Sequence, residues 1–236
     1  MVDGVPQTAE SLAVTRWDRG SGKRDTVAWQ QVAQGANQVS SRGGRGRSEM
    51  TMRIGGGNPF EGADQWAVAP DGRVAVVHHE PFRVDYIGET GQRRQGQPIR
   101  FERIKVTEGH KQEWRERMRS ATGIMINVDN GRRSASAMPM RDVQDPESWG
   151  EYLPPFLANA LNFSSDGYLW VQRTGPAGQP PTFDVIDRAG VVVQRVVLPK
   201  KARLVGFGNG TVYVARVDDD DLQYLQRHRF AMPERP

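Results

Sequence analysis

The chain has 236 residues, a net charge of +4 and a hydrophobic fraction of 37%. It contains no cysteine, which excludes disulfides, thiolate metal sites and a cysteine nucleophile. No apolar run approaches the roughly 20 residues needed to span a bilayer. The 26 Gly and 15 Pro point instead to many short strands joined by turns, an all-β chain of one domain.

The opening residues, MVDGVPQTAESLAV, have neither the basic nor the apolar region of a secretory leader. The expectation is a cytoplasmic protein, or a chain that starts downstream of its signal. Residues 13–17, a turn at 18–22 and residues 24–32 read as an outer hairpin, so that 11–32 forms a partial repeat. Residues 33–60 are rich in Gly, Ser and Arg and read as an exposed loop. Within it, SSRGGRGR superficially resembles an RNA-binding tract but lacks the interleaved aromatics that stack on bases. A basic loop is predicted there, and nucleic acid is disfavoured as a partner.

An internal repeat follows. Residues 64–99 read DQWAVAPDGRVAVVHHEPFRVDYIGETGQRRQGQPI, residues 159–199 read NALNFSSDGYLWVQRTGPAGQPPTFDVIDRAGVVVQRVVLP, and residues 203–230 read RLVGFGNGTVYVARVDDDDLQYLQRHRF. Each unit starts with a short strand and a tight turn, at Asp71-Gly72, Asp166-Gly167 and Asn209-Gly210, because Asp-Gly and Asn-Gly reach the positive φ that two-residue hairpins need. A second strand is predicted over 74–78, 168–172 and 211–216, and a third over 82–87, 183–187 and 222–229. In the third strands Phe82, Val84 and Tyr86 alternate with Arg83 and Asp85, and Phe183 and Val185 with Asp184, the period of two expected of a strand. Three or four hairpin-linked strands recurring at about 43 residues match the ~40–50 residues of a β-propeller blade.

Between the first two full units lies a different segment, residues 100–158. Thr107 is a candidate helix cap, EGHKQEWRERMRSA is rich in helix formers, and Trp114 and Met118 share one face at i, i+4. A helical insertion and a polar loop are predicted, with a degenerate blade as the alternative. Across 93–119 nine Arg and Lys stand against four Glu. The residues singled out for partner binding are Arg103, Lys105, Lys111, Trp114, Arg115, Met118 and Arg119, with Trp114 as aromatic anchor. The competing expectation is a solvated helix face with pairs such as Glu113–Arg117.

Other motifs point away from chemistry. His78 and His79 are adjacent on a strand, so their side chains are expected on opposite faces with no shared metal. His110 and His228 are isolated. Asp218 to Asp221 lacks the alternating spacing of a calcium loop and reads as a solvated hairpin turn, as does the stretch from Val128 to Gly131. The glycine-rich stretches at 55–57 and 206–210 lack the Lys-Ser/Thr ending of a phosphate loop. No serine lies in a G-x-S-x-G elbow. No catalytic residue, metal or cofactor is assigned.

DQWAVAPDGRVAVV, the following FRVDYI, and the stretch from PPTFDVIDRAG to YLQRHRF resemble bacterial six-bladed β-propeller proteins of the NHL-like class. The resemblance covers residues 64–99 and 153–230, with weaker support at 11–32. It implies a non-enzymatic interaction scaffold outside the cytoplasmic membrane, peripheral rather than membrane-spanning. The implied role is an accessory subunit of a membrane-associated complex, respiratory or photosynthetic for example. The chain departs from six blades, with three clear units and a half. It is a partial or N-terminally shortened member, or an incomplete ring whose open edges need covering. Two other functions stay open, a hydrolase or lyase working in the central channel and polyanion binding through the Arg-rich loops.

Overall fold

The computed structural model describes residues 11–31, 37–44, 47–54, 57–120, 122–129, 132–139 and 143–231. For the strands within 37–54 and 122–139 the backbone course alone is described. Strands dominate and every pairing is antiparallel.

Strands β1 (Ser11–Trp17) and β2 (Arg24–Gln31) form a hairpin, and β3 (Asn37–Gly44) and β4 (Arg47–Ile54) form another. Sheet A follows, four strands in sequential order: β5 (Gln65–Val68), β6 (Val74–His79), β7 (Phe82–Ile87) and β8 (Arg93–Arg94). Strand β9 (Ile104–Lys105) leads into helix α1 (Glu108–Ser120). Strands β10 (Thr122–Asp129) and β11 (Arg132–Pro139) pair with each other, and β12 (Tyr152–Leu153) returns to pair with β9. Sheet B comprises β13 (Leu161–Phe163), β14 (Leu169–Arg173), β15 (Thr182–Ile186) and β16 (Val192–Val197). Sheet C has three strands, β17 (Ala202–Gly208), β18 (Thr211–Val217) and β19 (Gln223–Arg229).

The segments read from sequence as loops differ from that expectation. Residues 33–60 contain the β3–β4 hairpin, and residues 100–158 contain the β10–β11 hairpin and the β9–β12 pair as well as the helix. In each hairpin one strand, NQVSSRGG or RRSASAMP, is polar and Gly- or Ser-rich, which hides the pairing, although its partner carries apolar residues at alternate positions, Met50, Met52 and Ile54 or Ile124, Ile126 and Val128.

The tight turns sit where the Asp-Gly and Asn-Gly pairs predict them. Gly72, Gly167 and Gly210 all have positive φ. In sheets A and B the turn closes identically, Ala69 N–H to Arg73 O at 2.7 Å and Ser164 N–H to Tyr168 O at 2.9 Å. This common closure equates Val74 with Leu169, Ala75 with Trp170, and His78 with Arg173.

The equivalence shows that the sheets stack with one polarity. Ala75, Val77, Val84 and Tyr86 of sheet A pack on Leu169, Val171 and Ile186 of sheet B. Trp170, Phe183 and Val185, on the opposite face of sheet B, pack on Val212 and Val214 of sheet C. Val74, Val76 and Ile87, on the opposite face of sheet A, receive Val27 and Ala28 of β2. Each sheet therefore presents a forward face to the next one and a backward face to the one before. Contact between A and B is close enough that a Cβ on Gly190, in the β15–β16 turn of sheet B, would lie 2.9 Å from the Val84 carbonyl oxygen of sheet A.

Helix α1 is capped as its sequence suggests. The side chain of His110, at the third helical position, accepts the Thr107 backbone N–H at 3.0 Å, the reach-back half of a capping box with imidazole in place of the usual carboxylate. Its Nε2 meets the Gly175 carbonyl at 3.1 Å, which ties the helix start to the β14–β15 connection. Trp114 and Met118 face a small core with Phe60, Leu153 and Trp149. Among the described residues no helix is long and apolar enough to cross a membrane.

Candidate interaction surfaces

Three features of the described structure are candidates for function. They are paired charge clusters inside the stack, a cleft beside the helix, and the open faces at the two ends.

The charge clusters repeat. Asp85 and Asp184 occupy the same place on the third strands of sheets A and B, and both are fully buried. Asp184 accepts from Arg173 of β14 and, at 2.9 Å, from Arg195 Nε of β16. Asp85 accepts from His78 Nε2 at 3.1 Å, Arg83 Nε at 3.2 Å, Arg93 Nη2 at 2.6 Å and the Gly96 N–H at 3.2 Å. His78 and Arg173, equivalent by the turns, thus serve equivalent carboxylates. Burial raises the Asp85 pKa, but the bonds from Arg93, Arg83 and Gly96 outweigh it and hold the group below the usual carboxylate range. The Arg173 guanidinium lies between the rings of Phe82 and Phe101, 4.8 and 4.9 Å from their centroids. Burial lowers its pKa, and Asp184 works in the opposite direction.

The adjacent histidines do not behave as strand alternation predicts. His78 Nδ1 and His79 Nδ1 both reach Asp64, at 2.8 Å to Oδ2 and 2.9 Å to Oδ1, and the His79 N–H bonds Oδ1 at 3.1 Å. Asp64 lies in the segment just before β5, beside the end of β6, where both rings can turn toward it. Burial raises the Asp64 pKa, yet the two histidine bonds drive it well below the ordinary range. Among the described residues no group of three or more His, Asp or Glu is arranged to hold a metal. These clusters join strands within each sheet.

The seven residues selected from sequence have varied fates. Trp114 is 8% exposed and stands edge-on to Trp149 at 5.2 Å. It is a core residue, so it cannot serve as a surface anchor, because the short segments around α1 need its bulk to fill their core. Met118 is half-buried beside it. Arg115 forks onto Asp145, at 2.8 and 2.7 Å, and also bonds Glu108 at 2.7 Å. Lys111 pairs with Glu108 at 3.4 Å, and both cations lie over the Trp149 ring. Arg103 meets Glu80 at 3.8 Å. Lys105 and Arg119 are exposed. The expected Glu113–Arg117 pair is replaced by a bond from the Gly178 N–H to Glu113 at 2.5 Å.

The helix also borders a cleft of about 1370 Å³. Its walls bring together Arg100, Arg117, Arg173 and Arg195 with Phe60, Phe101 and Leu157. None of the seven sequence-selected residues lines it. Two acids, Glu102 and Glu113, share the rim, so the four cations do not form a concentrated field.

The stack ends are the third feature. On the backward end, Trp17 and Trp29 of the first hairpin are 56% and 63% exposed. On the forward end, the register places Leu225 of sheet C where Phe183 stands in sheet B and Val84 in sheet A. Leu225 is 70% exposed, whereas Phe183 and Val84 are 1% and 0% exposed. Tyr213 takes the place of Trp170 and Arg227 that of Val185. The acidic run beside this face is the β18–β19 turn. Asp218 Oδ1 accepts the N–H groups of Asp220 and Leu222 at 3.0 and 2.9 Å, and the Leu222 and Asp220 N–H bonds help to hold Asp218 below the usual carboxylate range.

No family model, no curated protein and no solved structure matches this chain.

Proposed function

We propose that this chain is a non-enzymatic interaction module, a propeller-like array of blades that docks onto other protein subunits. Sheets A, B and C are its blades, and the first hairpin is a partial one. The observation that carries the reading is the forward face of sheet C. Leu225 stands open at a position that is buried in each preceding sheet, and apolar positions of this kind in a directional stack call for a neighbour. The exposed Trp17 and Trp29 at the opposite end support the same reading, since aromatics exposed in pairs favour protein contacts. The NHL-like resemblance adds the expectation of a place outside the cytoplasmic membrane, as an accessory subunit that stabilises a membrane-associated complex.

The test is purification of the chain from its native membranes, with Leu225→Asp alongside the unaltered protein. The reading expects the unaltered protein to travel in a larger assembly and the variant to travel alone. Recovery of the unaltered protein only as a free monomer overturns it.

A further inference from the structure

Sheets A and B each have four strands, with the third strand covered along its outer edge by β8 or β16. Sheet C has three, and among the described residues nothing pairs with the outer edge of β19. We infer that this edge receives a fourth strand from a partner protein, an extended segment in which acidic and apolar residues alternate. The inference rests on the interaction reading and specifies the contact it uses.

Three observations support it. First, β19 is a full strand, with all seven residues in register with β18, and its burial pattern is exposed at every position but Gln226. Its outward N–H and C=O groups are a template for strand addition. Second, the sequence after β19 differs from that after the third strands of sheets A and B. In sheets A and B a Gly turn with positive φ, at Gly91 and Gly190, folds the chain back into the fourth strand. After β19 the sequence reads FAMPERP, which has no glycine and contains two prolines, residues that cannot donate to a ladder. Phe230 instead continues the pairing with Gly210 and packs its ring on Trp170 at 4.8 Å. Third, the edge is basic. Residues 223–229 hold Arg227, His228 and Arg229 and no acid. Arginines on an exposed edge discourage pairing between like strands, and opposite charges across a strand pair favour it. The selected partner is therefore acidic on the side that meets Arg227 and Arg229, with apolar residues on the other side beside Tyr224.

The experiment uses the full chain and two labelled ten-residue peptides, one alternating valine and glutamate and the other valine and lysine. Binding is read by fluorescence anisotropy, and backbone contact by hydrogen exchange over residues 223–229. The glutamate peptide is expected to bind and to slow exchange across β19, and the lysine peptide to do neither. Arg227→Glu with Arg229→Glu is expected to shift the preference toward the lysine peptide by about tenfold. Several outcomes overturn the inference: no binding by the glutamate peptide, binding without slowed exchange in β19, equal binding of both peptides, or β19 protection that rises with protein concentration in the absence of peptide, which would assign the edge to a second copy. A native assembly that leaves β19 exchange unchanged overturns strand addition while the interaction reading stands. Peptide binding with no native assembly overturns the interaction reading alone.

Discussion

Asp184→Ala tests whether the buried charge pairs hold the stack together. Asp184 is fully buried, and the Arg173 side chain it meets is 9% exposed. Removing the carboxylate leaves a guanidinium enclosed by Phe82 and Phe101 without its counter-ion, a loss of ~3–5 kcal/mol. Against a total of about 5–15 kcal/mol for a domain, that is a large share. Arg195 meets the same carboxylate, but its side chain is 59% exposed, so Arg195→Ala is expected to cost only about 0–1 kcal/mol. Replacing both buried partners together, Asp184→Leu with Arg173→Met, removes the stranded charge and is expected to recover most of the loss. Urea unfolding followed by tryptophan fluorescence gives the midpoints, and an unchanged slope shows that stability alone has moved. The reasoning fails if Asp184→Ala loses under about 1 kcal/mol, or if Arg195→Ala is as damaging as Arg173→Ala.

Further outcomes follow from the same packing. Asp64 and Asp85 have folded-state pKa values below their unfolded ones, so their contribution is complete above about pH 4 and is lost as pH falls further. Thermal melts at pH 7, 4 and 2.5 are expected to show little change over the first interval and a drop over the second. Gly96→Ala drives a methyl group into the Val84 carbonyl, 2.2 Å away, and is expected to destabilise by about 1–3 kcal/mol in the same urea assay. Trp114→Ala empties a packed core and is expected to cost ~3–5 kcal/mol. Trp29→Ala, at the open end, is expected to stay within about 0.5 kcal/mol, and equal losses would contradict the assignment of one as core and the other as surface.

The hairpins of the three repeats were legible because Asp71-Gly72, Asp166-Gly167 and Asn209-Gly210 fix their turns locally. The second and third strands fall within a residue or two of expectation, Phe82–Ile87 at both ends. The role of Asp85 and Asp184 was not legible. Alternation assigned them to the face opposite the apolar side chains, and such a face is normally solvated. Here both faces of sheets A and B are covered by neighbours, and that depends on stacking between units far apart in the chain. A recurring Asp followed two residues later by Ile, at the same distance before a turn in both units, was the available signal. The burial of Trp114 was hard to read for a related reason. Its partners Phe60, Leu153 and Trp149 come from distant segments, so the i, i+4 pairing with Met118 was the local sign of the core that this helix covers.

The shared polarity of the sheets also bears on how the protein comes apart. Among the described residues, sheet B is sandwiched between A and C, whereas sheet C is packed on one side only. In such a linear array the free energy of opening is set largely by contacts with adjacent units, and local openings span a range up to the global value. Sheet C is then the unit that melts first, exchanging its amides through sub-global excursions while sheet B opens only when the whole array does. A ligand that covers the forward face would raise the protection of the array from its weakest end inward.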